Sequence, residues 1–498
     1  MDTGPSKREL QHFLKRFGPQ VKTQIPTLLS GFEHQAQGAP GLKSPKEYVK
    51  ELLAPTYHQL ALTKVEGPFD KSDWQKVGNT LYKLQKLGLS SIVVSDNPSW
   101  RTDKSSPSEL AKRMFSESMT LVESIEQAGG RARLVYSSAL ERSTHAAAKA
   151  IDINLDFILS ALNNNQIPIV VPILTEHDGQ LVPVNANEAV VALTRRLQTQ
   201  ALDPKLVPSK IVIINKEGGI PNHNLPGTAH SLVNVQEEFS DIESAFAKNA
   251  QWKAQYPSTI EDLAMVRDCL DQLPTSSSAV IAPTASLPSA LITNLVTDKP
   301  LYSSSLPVTH HTRINQAKTT VLRHGIKINN YSRVSDLNLS RLTELLEASF
   351  LKKVDTEAFY GRLEHVLAGA IIAGDYEGAV IMTHETANRT QHAYLDKFAI
   401  APSSQGIGLT DILWKRMCDA HPELLWRSRK DNGVNKWYDQ KDKLGGTETY
   451  FERSNGYLRL PNSNWVLFWH GNDGHKHVHD YAEIATRIPA SFLPPVTR

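Results

Sequence analysis

The chain has 498 residues, which is enough for two or three domains. It carries 54 Lys plus Arg and 52 Asp plus Glu, a net charge of +2 that argues against a dedicated nucleic-acid binder. Hydrophobic residues make up 40% and charged residues 21%, which is typical of a soluble globular protein. Apolar runs such as 167–174 are far shorter than the roughly 20 residues of a membrane span. We therefore expect a multi-domain protein that binds neither nucleic acid nor membrane.

Cysteine content and the first residues bear on the cellular compartment. The two cysteines, Cys269 and Cys418, cannot form a disulfide framework in a chain of this length, and both lie in helix-like stretches that predict buried free thiols. The first 20 residues lack the apolar segment of a secretory signal. Asp2 and Glu9 also depart from the acid-poor composition of a mitochondrial transit peptide. Composition alone leaves the compartment open.

In chain order, an arm is followed by an α/β domain. Residues 1–56 are polar and interrupted by Pro and Gly, which predicts an appended arm with one helix over about 7–17. From residue 57 onwards, short β-type runs such as SSIVVS and IPIVVPIL alternate with helical stretches. This alternation is typical of βαβ units and a mostly parallel sheet. We predict that this domain extends over 57–324.

A second α/β domain is predicted over 325–480, with a C-terminal tail over 481–498. Amphipathic helices are predicted at 339–350 and 356–367. The runs AGAIIAG, GAVIMTH and HAYLDKFAIA then predict three antiparallel strands with short turns. They are followed by the loop and helix SSQGIGLTDILWKRM and by two strands, LLWRSR and NWVLFWH.

Two features of the second domain indicate anion binding. The segment Ser403–Gly408 (SSQGIG) opens a helix, and its glycines would let backbone N–H groups approach a phosphate. Two glycines alone are equally typical of an ordinary turn. Lys397 interrupts an otherwise apolar strand, and Arg427 and Arg429 alternate along the next strand, so that they share a face. Cations held on such rigid elements can bind an anionic ligand, although the arginine pair alone also fits a plain surface strand.

The order of strands, glycine-rich loop, helix and strand resembles the GCN5-related N-acetyltransferase fold. The pyrophosphate loop of that fold reads Arg/Gln-x-x-Gly-x-Gly/Ala; Gly406 and Gly408 match it, whereas Ser403 stands at the Arg/Gln position. The strings YLDKFAIAPSSQGIG, LLWRSRKDNGVNKWY and FERSNGY resemble the acetyltransferase domain of fungal and animal N-acetylglutamate synthases, over about 325–480.

This resemblance implies a reaction and a set of site residues. The reaction is acetyl transfer from acetyl-CoA to the α-amine of L-glutamate, giving N-acetyl-L-glutamate, the first step of arginine (ornithine) biosynthesis, in the mitochondrial matrix and with no metal expected. The residues implied for the glutamate pocket are Lys397, Arg427, Arg429, Asn432 and Asn435. The residues implied for acetyl-CoA binding are Phe398, Ala399, Ile400, Ser403, Gln405, Gly406, Ile407 and Gly408.

The proton donor to the departing thiolate is expected to be a tyrosine. The family motif Trp-Tyr-Phe-x-x-Ser-x-Gly supplies it, but here 12 residues, DQKDKLGGTETY, stand between the Tyr and Phe of the motif. Tyr438 is the first candidate and Tyr450, at the end of the insertion, is the alternative. The insertion is either a surface loop with a turn at Gly445-Gly446 or a change that displaces the tyrosine. No side chain identifies itself as the general base.

Residues 57–324 resemble the amino-acid kinase fold, in the branch of acetylglutamate kinase, through LTKVEGPF, IPIVVPILTEHDGQLVPVNANEAVVALTRRL and ALITNLVTDKP. Active kinases of that family place a Gly-Gly pair after the lysine of the first strand, but Lys64 is followed by Val65-Glu66-Gly67-Pro68. Asp96-Asn97-Pro98-Ser99 replaces the second glycine-rich loop. Acidic residues repel phosphate, and proline lacks a donor N–H. The predicted fold class is therefore an amino-acid-kinase-like parallel sheet, without kinase chemistry, followed by a GCN5-related N-acetyltransferase domain.

Partners and alternatives follow from the same resemblance. It implies a homo-oligomer, and it leaves open inhibition by L-arginine, through the arm around Phe13–Phe17, and contact with acetylglutamate kinase. The alternative is a non-catalytic arginine-sensing or scaffold partner of acetylglutamate kinase, disabled by the insertion and by Ser403. Glu66 and Pro68 argue against a bifunctional enzyme that also phosphorylates.

His475, His477 and His479 alternate like metal ligands, but we interpret them as part of a polar tail.

Overall fold

The structure is a computed structural model. It describes residues 59–143, 151–199, 206–223, 227–297, 319–404, 409–432, 435, 439–444, 447–452, 454–460 and 463–493. The arm predicted over 1–56, including its helix around Phe13–Phe17, lies outside these residues. Among the described helices, none combines the length and apolar character that a membrane crossing requires.

The chain folds as two compact units. Within the described residues, the first unit comprises 59–218 and 254–297, and the second comprises 219–253 and 319–493. The division does not coincide with the predicted domain boundary at 324/325, because 219–253 group with the C-terminal half. Two contacts within the second unit show why: Glu238 Oε1 accepts from Lys415 Nζ at 2.8 Å, and Glu237 Oε1 accepts from the Ile328 N–H at 3.4 Å.

The first unit contains a parallel sheet with the strand order β11-β9-β1-β2-β6-β3 and a smaller sheet with the order β5-β4-β7-β8. Its strands are β1 Gln59–Glu66, β2 Leu89–Asp96, β3 Ala132–Val135, β4 Leu140–Arg142, β5 Ile151–Ile153, β6 Ile167–Val170, β7 Ile173–Thr175, β8 Leu181–Pro183, β9 Pro208–Asn215 and β11 Ser278–Pro283. Its helices are α1 Lys71–Lys86, α2 Pro98–Arg101, α3 Pro107–Gln127, α4 Asp156–Asn163, α5 Ala186–Thr199, α8 Thr259–Leu270 and α9 Ser289–Thr297.

The second unit contains a parallel pair, β10 and β12, and a mixed sheet with the order β13-β14-β15-β16-β17-β21-β20. Its strands are β10 Leu232–Asn234, β12 Thr320–Arg323, β13 Ile328–Tyr331, β14 Leu367–Ala373, β15 Gly378–Ala387, β16 Thr390–Ile400, β17 Leu424–Arg429, β18 Asp439–Leu444, β19 Thr447–Glu452, β20 Gly456–Arg459 and β21 Trp465–His470. Its helices are α6 Val235–Lys248, α7 Ala250–Gln255, α10 Leu339–Phe350, α11 Thr356–Val366, α12 Leu409–Ala420 and α13 Val478–Arg487.

The sequence patterns account for these elements. Strands β1 and β2 are buried along almost their whole length, as expected for parallel strands covered on both faces. Helix α3 begins with a capping box, in which Ser106 Oγ accepts from the Glu109 N–H and the Glu109 carboxylate accepts from the Ser106 N–H. Asn338 caps α10 in a similar way by accepting from the Arg341 N–H.

The mixed sheet of the second unit is covered differently on its two faces. One face packs against α12 through a cluster that includes Leu413, Trp414 and Trp426. The opposite face carries two clusters: α10 and α11 cover the part formed by β14 and β15, and α13 covers the part formed by β17 and β21. We call this opposite face the divided face, because two separate groups of helices cover it.

The predicted C-terminal tail over 481–498 differs from the structure. Residues 478–487 form α13, and Tyr481, Ile484 and Ala485 are buried against Tyr394 and Leu425. The apolar positions 481, 484, 485 and 488 have the i, i+3, i+4, i+7 spacing of an amphipathic helix, which the histidine-rich residues before them obscured. The fold of the second unit therefore extends at least to Leu493.

Candidate active site

A β-bulge in β16 places Lys397 on the divided face. Ile381 of β15 lies opposite Lys397 and Met382 lies opposite Leu395, so Asp396 is an extra residue in the ladder. Such an extra residue redirects the side chains around it. Here Asp396 and Lys397 both reach groups on the divided face, whereas Leu395 packs in the α12 cluster.

The Lys397 ammonium group is held by several partners at once. Nζ forms an ion pair with the Asp396 carboxylate and donates to Ser491 Oγ at 2.9 Å. It also lies 4.9 Å from the ring centroid of Phe359 and 5.7 Å from that of Phe492, within cation–π range. The residue is only 7% exposed. A single cation is thereby fixed in a nearly buried setting.

Asp396 links Lys397 to a second cation. Its Oδ2 accepts from Arg362 Nη1 at 2.6 Å, and Arg362 also contacts the Glu385 carboxylate. Burial by itself would raise the pKa of Asp396, but the charges of Lys397 and Arg362 outweigh it and hold this pKa below its usual value. Two cations and two carboxylates therefore form a charge-balanced group beside the strand.

Strands β16 and β17 run parallel but pair only at Tyr394 opposite Leu425. Beyond this pair, β16 continues to Ile400 and β17 continues to Arg429 without a further pair between the described residues. An opening between two neighbouring strands leaves backbone N–H and C=O groups available to a ligand. Lys397 and Arg427 both lie beyond the pairing point, one on each strand.

Arg427 shares the divided face with Leu425 and contacts the C-terminal end of α13. Its guanidinium group donates to the Ala485 carbonyl at 2.5 Å and to the Pro489 carbonyl at 3.2 Å, and it lies 4.4 Å from the Trp465 ring. Cations are favourable at this end of a helix, because the last carbonyls there lack intrahelical partners. Arg427 and Lys397 thus both contact the segment 489–491 that follows α13.

The remaining residues expected in the glutamate pocket are more exposed or bonded to one another. Arg429 is exposed and pairs with Asp431, with Nε 3.0 Å from Oδ1. Asn432 Nδ2 donates to Ser428 Oγ at 3.0 Å, and Asn435 Nδ2 donates to the Arg429 carbonyl at 2.6 Å. The structure places these residues along the end of β17 and the turn after it.

The residues expected to bind acetyl-CoA lie on the other side of the opening, at the end of β16 and after it. Phe398 and Ile400 pack against the α12 cluster, and Ala399 is buried on the divided face. Ser403 lies in a 3-10 turn, Pro402–Ser404. Gln405, Gly406, Ile407 and Gly408 lie outside the described residues, and α12 begins directly after them at Leu409.

The 12-residue insertion contributes to a separate two-stranded antiparallel ribbon. Strands β18 and β19 pair from Asp439 opposite Glu452 to Leu444 opposite Thr447. The first residue of the insertion, Asp439, therefore lies opposite Glu452, two residues beyond the end of the insertion. Tyr450 lies opposite Lys441 in this ribbon. Tyr438 and the predicted turn at Gly445-Gly446 lie outside the described residues.

The first unit places Lys64 in a closed ionic cluster. Its Nζ lies 2.5 Å from an oxygen of Asp262, 2.8 Å from Glu66 and 3.0 Å from Asp96, and the residue is 0% exposed. Burial lowers the pKa of Lys64, but the three carboxylates outweigh burial and raise it. Arg101 contacts Asp96 Oδ2 at 2.9 Å.

Sequence reasoning did not identify several of these residues. Asp262 lies 198 positions from Lys64, and Ser491 lies 94 positions from Lys397, so no local pattern connects them. Asp396 was visible only as the neighbour of Lys397, and Arg362 only as a polar residue of a predicted helix. A charged pair interrupting an apolar strand is the one signal that could have identified Asp396.

Comparisons with known proteins assign the chain to a family. The family model for the N-acetyltransferase domain of N-acetylglutamate synthase matches residues 329–489. The mitochondrial amino-acid acetyltransferase of Laccaria bicolor is 32% identical and covers 98% of this chain and 97% of its own length. That of Coprinopsis cinerea is 31% identical and covers 99% and 91%, respectively. The chain belongs to the amino-acid acetyltransferases.

The solved structures to which the chain is similar include an N-acetylglutamate synthase. The N-acetylglutamate synthase from Neisseria gonorrhoeae complexed with coenzyme A and N-acetyl-glutamate superposes with a TM-score of 0.49 at 13% identity, covering 86% of this chain and 98% of that chain.

Membership of the family confirms several predictions. The enzyme class, an acyltransferase acting on an amino acid, is confirmed. The predicted parallel α/β sheet in the first unit and the N-acetyltransferase domain after it are confirmed by the strand order and by the family model, respectively. The relatives are named mitochondrial, which confirms the mitochondrial location expected for the family. The roles of the individual site residues stay predictions.

Proposed function

We propose that this protein transfers the acetyl group of acetyl-CoA to the α-amine of L-glutamate, giving N-acetyl-L-glutamate for arginine (ornithine) biosynthesis. The observation that carries the proposal is the opening between β16 and β17, with Lys397 and Arg427 beyond the pairing point on the same face of the sheet. Family membership supports it, because the matching model describes the acetyltransferase domain of N-acetylglutamate synthase.

Lys397 and Arg427 bind the two carboxylates of glutamate. Each has a neutral acceptor that a carboxylate can replace: the hydroxyl of Ser491 for Lys397, which keeps its ion pair with Asp396, and backbone carbonyls for Arg427. Hydrogen bonds between two charged groups are shorter and roughly twice as strong as neutral ones, so substrate carboxylates compete well with these partners. Arg429, Asn432 and Asn435 border the same opening and complete the pocket.

Acetyl-CoA enters the opening from the side of α12. The pyrophosphate binds at the N-terminus of α12, because the first N–H groups of a helix lack intrahelical partners and the helix dipole favours an anion there. The residues 403–408, which the sequence predicts to bind acetyl-CoA, directly precede this helix in the chain. The thioester lies along β16 at Phe398, Ala399 and Ile400, and backbone N–H groups beyond Tyr394 stabilise the oxyanion.

The chemical step is nucleophilic attack by the neutral α-amine on the thioester carbon. The C–N bond forms, the C–S bond breaks, and the departing thiolate takes a proton from a tyrosine, whose ordinary pKa is about 10. The proton that the acylated nitrogen loses passes through water to the tyrosinate and restores it, so that the net transfer is one proton from nitrogen to sulfur. Tyr438 is the proposed donor, because it directly precedes Asp439 at the base of the ribbon. Tyr450 is the alternative; it lies two residues along the ribbon from Glu452, about 7 Å at the usual rise per residue.

The test is release of free CoA thiol by purified protein with L-glutamate, L-glutamine or no acceptor. Glutamate-dependent thiol is expected. Glutamine lacks one carboxylate and is expected to show kcat/KM lower by about 30-fold or more, because it leaves a held cation unpaired. The variants Tyr438→Phe and Tyr450→Phe identify the donor by which of them loses kcat. A folded protein that binds acetyl-CoA but acetylates no amino acid would instead support the scaffold alternative.

The family also suggests partners. The gonococcal N-acetylglutamate synthase was solved in a complex with L-arginine. We extend this to the present chain as inhibition by L-arginine, together with assembly into a homo-oligomer and contact with acetylglutamate kinase. Thiol release measured over an L-arginine titration tests the inhibition, and sedimentation with and without the kinase tests both assemblies.

A further inference from the structure

A cluster of two histidines and one aspartate lies where α13 meets the β15–β16 turn. The Nε2 atom of His392 lies 3.2 Å from Asp480 Oδ2, and the Nδ1 atom of His477 lies 4.0 Å from the same oxygen. One nitrogen from each histidine and one carboxylate oxygen all lie within 4.8 Å of one another. Neither Lys397 nor Arg427 belongs to this cluster.

The fold holds two of the three groups in place. His392 is on β16, is 8% exposed, and packs edge-on against the Tyr481 ring at 5.1 Å. Asp480 is in the first turn of α13, and its second oxygen, Oδ1, accepts from Asn388 Nδ2 at 2.6 Å. A ligand carboxylate that is itself hydrogen-bonded is the usual arrangement in metal sites.

The spacing suits a small tetrahedral ion. Zinc–nitrogen and zinc–oxygen bonds of roughly 2.0–2.1 Å put neighbouring ligand atoms about 3.3 Å apart. The His392–Asp480 distance already has this value, and His477, which is half-exposed at the start of α13, closes the remaining gap by a small side-chain rotation. Imidazole together with carboxylate selects a zinc-class transition metal over calcium or magnesium, which prefer all-oxygen ligands.

We propose that His392, His477 and Asp480 form a zinc-class metal site, with water as the fourth ligand, that fastens the start of α13 to the β15–β16 turn. This differs from the sequence-based interpretation of the histidines as part of a polar tail. The site lies at the opposite end of α13 from the Arg427 contact with the Ala485 carbonyl, so the metal and Arg427 fix the two ends of one helix.

The experiment is zinc titration of the untagged, chelator-stripped full chain, followed by calorimetry and by melting temperature. We expect one high-affinity zinc ion per chain and a rise in melting temperature on loading. His477→Ala and Asp480→Asn should each lower the zinc affinity at least tenfold, and Asn388→Ala should lower it about tenfold through loss of the hydrogen bond to Asp480. Because His392→Ala removes a buried side chain and so also affects stability, His477→Ala and Asp480→Asn carry the test.

His475→Ala and His479→Ala are the matched controls, since both histidines are exposed neighbours outside the cluster. They should bind zinc like the unmodified chain. Absence of stoichiometric zinc binding would overturn the proposal. So would binding that survives His477→Ala combined with Asp480→Asn, or binding that His475→Ala and His479→Ala weaken as strongly as His477→Ala does.

Discussion

The two units each bury one strand lysine among carboxylates, and the two clusters differ in charge balance. In the first unit, Lys64 and Arg101 face the carboxylates of Glu66, Asp96 and Asp262, two cations against three anions. In the second unit, Lys397 and Arg362 face Asp396 and Glu385, two against two.

This difference determines what each lysine can receive. The third carboxyl group beside Lys64 disfavours an anionic phosphate, because it adds negative charge when ionised and already occupies the place beside Nζ when it holds a proton. Lys64 therefore has a structural role. Lys397 lies in a cluster whose two cations and two carboxylates balance in charge. One of its partners is the Ser491 hydroxyl, which a substrate carboxylate can replace. We therefore expect the buried lysine to be structural in the first unit and, as proposed above, to bind substrate in the second.

The strongest test of the structural role is Lys64→Met. Removing the cation leaves three buried carboxylates without their common partner, and breaking a buried ionic group in this way costs about 3–5 kcal/mol of unfolding free energy. Denaturant unfolding measures the loss. Thiol release by the folded variant should keep its kcat/KM for glutamate.

Lys76→Met is the control for that substitution. Lys76 pairs with Asp73 at 2.8 Å, but its side chain is 41% exposed, so its loss should cost at most about 1 kcal/mol. Equal stability losses for the two variants would remove the distinction between a buried cluster and a surface pair.

The corresponding test of the binding role is Lys397→Met. We expect the transition state to lose about 2–5 kcal/mol of stabilisation, because a substrate carboxylate loses its partner. This loss lowers kcat/KM for glutamate roughly 30-fold to several-thousand-fold. Acetyl-CoA binding should change little. Lys353→Met is the matched control, since Lys353 is exposed and pairs only at the surface with Glu347. Unchanged kinetics in Lys397→Met would make both lysines structural.

Much of the fold could be predicted from the sequence. Helix α10 begins and ends where its apolar periodicity and the Asn338 cap indicate, and β14, β15 and β16 form the predicted antiparallel meander. What could not be predicted depends on contacts between distant residues. The bulge at Asp396 exists only in the register of β16 against β15. Lys64 of β1 meets Asp262 of α8 only in the folded unit, because 198 positions separate them in the chain.

The candidate site shows the same limit. Charge and strand position identified Lys397 and Arg427, but their partners Ser491 and Ala485 lie in residues that the sequence analysis assigned to a tail. The insertion before Phe451 was visible as 12 extra residues. The sequence did not show that β18 and β19 pair with each other and bring the two ends of the insertion close together. Their register in the structure shows it.

The two clusters should also respond differently to pH. Burial raises the pKa of Asp262, so above its ordinary value of about 3.9 the folded chain holds a proton that the unfolded chain has released. Stability from this group therefore falls as pH rises, by at most about 1.4 kcal/mol per pH unit. The pKa of Asp396 is lowered, so its contribution is complete above about pH 4 and is lost only as pH falls below that.

Denaturant unfolding at about pH 5 and about pH 6 measures this difference. Over that interval, wild type should lose stability relative to Asp262→Asn, whose side chain does not titrate. Its stability relative to Asp396→Asn should stay constant. If the stability difference between wild type and Asp262→Asn stayed as constant as that between wild type and Asp396→Asn, Asp262 would not retain a proton in the folded chain.

The smallest expected effect is that of ATP, which should leave the melting temperature unchanged. The backbone donors that a phosphate would need at the ends of β1 and β2 are already used: the Gly67 N–H bonds the Asp96 carbonyl at 2.9 Å, and the Ser99 N–H bonds Asn97 Oδ1 at 3.0 Å. Pro68 and Pro98 carry no N–H. CoA in the same assay is the positive control, because a ligand at 100 times its Kd adds about 2.7 kcal/mol to the unfolding free energy. If ATP raised the melting temperature as CoA does, the carboxylates around Lys64 would have to move apart to admit a phosphate. Lys64 would then be able to bind a ligand as Lys397 is proposed to do, and the charge of the two clusters would not distinguish the two lysines.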